Sequence, residues 1–108
     1  MTDRLRVRSY RRSGRLVPRA AKGLRARSVA LGRGQIMDWH STRHREELLL
    51  ALTGRVEVEV QARHPSRTGP RTRRMPLKPG ECLFLPQQTM HRVLNRAAIR
   101  SCYVYVTA

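Results

Sequence analysis

Aromatic residues are scarce in this chain: one Trp, one Phe and three Tyr in 108 residues. Only Tyr10 lies among the N-terminal arginines, so no platform for stacking nucleic-acid bases is visible. Cysteine is scarce too. Cys82 and Cys102 sit in separate apolar stretches with no CxxC, which excludes a zinc finger and predicts two buried free thiols. No apolar run approaches the roughly 20 residues of a membrane-spanning helix, so no membrane partner is expected. The basic N-terminus has no apolar run after it, so no signal peptide is expected and the expected location is cytoplasmic. No Ser-His-Asp or Cys-His arrangement and no phosphate-cradling glycine loop stands out.

Acidic residues are few, 7 against 23 basic ones, for a net charge of +16. The excess is uneven. Residues 1–33 carry eleven basic groups against Asp3 alone, and residues 61–78 carry six against none. Residues 34–60 are slightly acidic, with three basic and five acidic groups. Such charge attracts nucleic acid, acidic lipid or anionic ligands. Arginine supplies all of it except Lys22 and Lys78, a bias that GC-rich coding DNA also produces without any partner. Nucleic acid is therefore a minor expectation, carried by the N-terminal segment and the 61–78 loop.

What is present is a series of short apolar stretches about ten residues apart, in a length that fits one core. Residues 1–22 read as a basic arm or edge strand, and residues 23–108 as the folded domain. Leu24 to Leu31, Gln35 to His40 and Glu47 to Thr53 read as strands, although the Leu-rich run of the last alone also permits a helix. Arg55 to Val60 alternates most clearly: Val56, Val58 and Val60 share one face, Glu57 and Glu59 a solvated one. With the Gly54 turn, Glu47–Thr53 and Arg55–Val60 look like an antiparallel hairpin. Arg73 to Leu77, a buried Glu81 to Leu85, His91 to Leu94 and Ile99 to Val106 complete the set. Many short strands and no long amphipathic helix imply a closed or double-sheet all-β architecture.

The chemistry concentrates between Gly34 and Gly54, where His40, His44, Glu46 and Glu47 lead into the apolar run. Gly34 is followed after five residues by His40, then Ser41, Thr42, four residues, Glu47, six residues and Gly54. Downstream, Gly80 is followed after five residues by Pro86, then Gln87, Gln88, two residues, His91, three residues and Asn95. In spacing and order the two stretches resemble the paired motifs of the cupins, small double-stranded β-helix (jelly-roll) barrels. The resemblance covers about residues 24–106. Two positions depart from the pattern. Thr42 stands where a second histidine is usual, and Gln88 where a glycine is.

The resemblance implies an all-β jelly-roll barrel holding a divalent transition metal: iron, manganese, nickel, cobalt or zinc. His40, Glu47 and His91 are the candidate ligands, drawn from three strands. Two imidazoles and a carboxylate form a facial set that leaves positions open for water, substrate or dioxygen. His44 is a fourth candidate, because an extended 41–45 segment gives it the parity of His40. Thr42 is a poor ligand that could orient a bound water. A lone histidine in apolar surroundings is more often a hydrogen-bonded core residue, and motif position shifts His40 and His91 toward metal. Glu47 needs a metal, a histidine or an arginine beside it, since an unpaired buried carboxylate is costly. Glu46 is expected to face solvent. Trp39, of opposite parity to His40, is expected to pack in the sheet or at a dimer contact. Thr42, Phe84, Gln88, Met90 and Tyr105 are candidate pocket or rim residues. Three functions stay open: a metal-dependent oxygenase or isomerase acting on a small polar or anionic molecule, a non-catalytic ligand-binding or sensing module, and a basic protein that binds an anionic polymer. A homodimer is expected from the resemblance.

Overall fold

A computed structural model of the chain describes residues 7–62 and 71–108. Residues 63–70 of the 61–78 loop singled out by its charge therefore lie outside the described residues. Within them the chain forms nine strands and no helix: β1 Gly14–Arg15, β2 Arg25–Leu31, β3 Ile36–Ser41, β4 Glu47–Thr53, β5 Val56–Gln61, β6 Thr72–Leu77, β7 Cys82–Leu85, β8 Met90–Leu94 and β9 Ser101–Thr107. They make two antiparallel sheets. The first runs β1-β2-β9-β4-β7 and the second β3-β8-β5-β6. The inner faces close on one core that includes Leu49, Ala51, Val56, Val58, Val93 and Tyr103.

Alternation along each strand decides what reaches that core. In β4, Glu47, Leu49 and Ala51 are buried while Leu48, Leu50 and Leu52 are half-buried on the outer face. The Leu-rich run is strand because it is sandwiched: β9 pairs with it on one side and β7 on the other. The expected β4–β5 hairpin does not form. β4 belongs to the first sheet and β5 to the second, so Gly54 turns a corner between sheets. Its φ of 65° is one that L side chains rarely adopt. A Cβ there would also lie 2.7 Å from the Arg100 carbonyl oxygen. The corner is pressed against the start of β9, and only glycine fits.

Two further expectations are corrected. β7 is an edge strand, so Cys82 and Phe84 face outward and are exposed; of the two free thiols only Cys102 is buried. Glu57 and Glu59 do lie on the outer face of the second sheet, but that face is not solvated at Glu59. Glu59 is 3% exposed. Arg92, directly opposite it on β8, donates a hydrogen bond of 2.5 Å, and Arg74 and Arg96 approach at 3.3 and 3.6 Å. The Arg92 guanidinium also lies 5.0 Å from the centre of the Trp39 ring, which places Trp39 on that outer face.

The N-terminal segment is stitched along β2. β1 pairs with it, the Leu16 amide donates to the Ala26 carbonyl at 2.8 Å, and the Ala30 amide donates to the Ser13 hydroxyl at 2.9 Å.

Candidate metal centre

His40, Glu47 and His91 come together from β3, β4 and β8, with one potential ligand atom from each lying within 4.8 Å of the others. His40 and His91 are opposite each other in the register, and their ring centres are 4.2 Å apart. A bulge makes this so. Met37 pairs with Val93 and His40 with His91, so three steps along β3 match two along β8. The extra residue gives His40 the inward face that Met37 occupies and sends Trp39 outward. Glu47 and His91 are buried, and His40 is the member that reaches the surface.

Backbone carbonyls fix the chemistry of both rings. His40 Nδ1 lies 2.7 Å from the Asp38 carbonyl oxygen, and His91 Nδ1 lies 3.1 Å from that of Thr89. A carbonyl only accepts, so each Nδ1 carries the proton and a neutral ring presents a bare Nε2. His91 Nε2 is 3.2 Å from Glu47 Oε2, yet it is buried and their orientation makes no hydrogen bond. In that tautomer the Nε2 lone pair lies beside a carboxylate oxygen, an arrangement that a cation held by both would satisfy. At metal–ligand distances of about 2.1 Å, adjacent ligand atoms stand about 3 Å apart, which is the spacing of this pair. The residues present therefore fit a divalent transition metal.

The loops on either side are locked together by Thr42. Its hydroxyl donates to the Pro86 carbonyl at 2.8 Å and accepts from the Thr89 amide at 3.0 Å, while its own amide donates to the Thr89 carbonyl at 3.0 Å. The side chain that replaces a histidine in the motif thus joins the 42–46 loop to the 86–89 loop. The other departure from the motif lies in the same seam. Gln88 has a φ of 57°, which accounts for the usual glycine, and its amide donates to the Arg43 carbonyl at 2.7 Å. His44 is exposed in this turn, outside the three-residue group, and its carbonyl accepts from Gln87 Nε2 at 2.8 Å. Arg43, with a φ of 56°, bends the chain there and ends the parity that would have carried His44 inward.

The candidate pocket residues separate. Phe84 and Gln88 line a cavity of about 290 Å³ between β5–β6 and β7. Tyr105 lines another of about 510 Å³ beside β2. Met90 is partly exposed at the start of β8. Burial raises the Tyr105 hydroxyl above the ordinary phenol range; Arg27 opposes the shift and Glu47 adds to it. Tyr103 is pushed further up by burial, with Glu47 and Tyr105 adding. Both phenols are neutral hydrogen-bond donors at neutral pH. Sequence reasoning missed the arginines around Tyr105, whose charge was visible but whose convergence depends on β1, β2 and β9 lying side by side.

No family model matches the chain, and no curated protein matches it. Solved structures do. The cupin domain of Schizosaccharomyces pombe Cnp3 superposes with a TM-score of 0.72 at 17% identity, over 89% of this chain and 59% of that one. A Cupin 2 conserved barrel domain protein from Salinispora arenicola gives 0.69 at 22% identity, over 89% and 73%. An oxalate oxidase gives 0.67 at 19% identity, over 79% and 41%. The chain thus spans less than two thirds of the Cnp3 domain structure and of the oxidase. These likenesses show the fold: a cupin jelly roll.

Proposed function

We propose that this cupin barrel holds one divalent transition metal ion through His40, Glu47 and His91, and with it binds a small polar or anionic molecule. The observation that carries the reading is the buried Nε2 of His91, held toward Glu47 with no hydrogen bond of its own. Iron, manganese, nickel, cobalt and zinc all accept this donor set. A bound ion would supply Lewis-acid polarisation or, for iron(II), dioxygen chemistry, so an oxygenase or isomerase is the proposed activity. The chain's own residues do the rest. Asp38 and Thr89 carbonyls hold the rings in one tautomer, and the Thr42 seam ties together the loops that flank the ligand-bearing strands.

A non-catalytic binding or sensing module is the second reading. It is favoured by Thr42, whose hydroxyl proton is committed to the Pro86 carbonyl and which adds no fourth ligand. Solved cupins of this shape include an oxalate oxidase in complex with glycolate and a CENP-C structure bound to CAL1, so the fold accommodates both uses. A homodimer is part of the proposal. Leu48, Phe84 and Val106 adjoin across three strands on the outer face of the first sheet, where a second copy would cover them.

Metal analysis tests the reading. Reconstituted protein is expected to hold one ion per chain, and chelator should lower its melting temperature. A ligand at a hundred times its Kd stabilises by about 2.7 kcal/mol. His40→Ala, at the exposed position, and His91→Ala should each lose the ion. Protein that stays metal-free after reconstitution, with both variants melting as wild type in the presence of metal, would sink it.

A further inference from the structure

The cavity of about 510 Å³ beside β2 is lined by Arg15, Arg19, Arg25, Arg27 and Arg45, together with Tyr105 and Thr107, and by no carboxylate. Its position follows from the register. Arg25, Thr107 and Glu47 form one row across β2, β9 and β4, and Arg27, Tyr105 and Leu49 form the next. Leu49 is buried in the core, so these rows lie on the inner face of the sheet. Two strand spacings separate Arg25 from Glu47, about 10 Å. The cavity therefore opens on the same side of the sheet as the candidate metal group.

Three observations together point to an anion. First, Arg15 lies directly opposite Arg27 in the β1–β2 ladder, and like charges in that position repel. Second, among the described residues none of the five guanidiniums makes an ion pair with a carboxylate, although three other arginines of the same chain do. Third, Arg45 is fixed by donating to the Gly23 carbonyl at 2.7 Å, and the neutral Tyr105 hydroxyl adds a donor at the cavity wall. Guanidiniums match the oxygens of phosphate and carboxylate in pairs, and several of them converging favour a ligand with more than one negative charge.

We infer that this arginine-lined cavity binds a small, multiply charged oxyanion, with Arg15, Arg25 and Arg27 as its main contacts and the Tyr105 hydroxyl as a further donor. A phosphate group, free or carried on a small molecule, is the model chemistry. The site does not depend on the metal reading, because none of its residues is a candidate ligand.

The test is calorimetric titration of the chelator-treated full chain with inorganic pyrophosphate at low salt, where screening is weakest. Wild type is expected to bind, and Arg25→Gln/Arg27→Gln to bind about tenfold or more weakly, since two charge-assisted contacts are removed. Arg15→Gln alone should weaken binding less. Arg74→Gln/Arg96→Gln removes the same charge from the opposite sheet and should bind as wild type. Equal weakening in both double variants would mean that pyrophosphate senses only net charge, and the inference fails. It fails too if Arg25→Gln/Arg27→Gln binds unchanged. Tighter binding of a short DNA duplex than of pyrophosphate, lost in both double variants, would make the surface a polyanion track and also overturn it.

Discussion

Arginine does opposite things on the two sheets. On the outer face of the second sheet, Arg74, Arg92 and Arg96 converge on Glu57 and Glu59 and bury one carboxylate beneath them. On the inner face of the first, Arg15, Arg25 and Arg27 converge on a cavity with no carboxylate at all. The first set is largely neutralised and ties β5 to both of its neighbours, β6 and β8. The second leaves its field directed into open space. A composition of +16 says nothing about this division. What separates the sets is where the few acidic side chains fall: the alternation of β5 places two of them under one cluster, and among the described residues none lines the other cavity.

The comparison can be broken most sharply at Arg92. Arg92→Ala removes the closest partner of a buried carboxylate and the cation over Trp39, and is expected to cost about 2–3 kcal/mol in urea unfolding. A cost below about 1 kcal/mol would mean that Arg74 and Arg96 neutralise Glu59 without it. Arg96→Ala should cost less, up to about 1 kcal/mol, because that side chain is 55% exposed and its pairs are screened by water. Arg27→Gln should have the smallest effect, within about 0.5 kcal/mol in the absence of anion. If it destabilised as much as Arg92→Ala, the cavity arginines would be structural, and the contrast between the sheets would disappear.

Much of the fold was legible because motif spacing and strand alternation agree. The bounds of Glu47–Thr53 follow from glycine punctuation and the apolar run, and the motif spacing groups His40, Glu47 and His91 from three strands, the residues that the structure brings within 4.8 Å of one another. What escaped was long-range. A hairpin turn and a corner between sheets both ask for a short link with glycine, so Gly54 alone could not say that β4 pairs with β9 and β7 instead of β5. The parity of Glu59 was read correctly and its burial was not, because the arginines that cover it lie 15 and more residues away in sequence. His44 was granted an extended segment that Arg43, in a left-handed conformation, interrupts. Gln88 carried a usable signal: a pattern that asks for glycine asks for positive φ, and glutamine there adopts it at 57°.

The seam between the 42–46 and 86–89 loops has a consequence for anyone rebuilding this barrel. Thr42 and Gln88, the two positions where the chain leaves the motif, belong to one hydrogen-bonded junction. They act as one structural junction. An imidazole installed at position 42 would arrive without the short hydroxyl that meets Pro86 and Thr89, so the loops beside His40 and His91 would keep only their backbone hydrogen bonds as the ligand was added. A fourth ligand at this position is thus not one substitution away. It requires the second loop to be rewritten with the first.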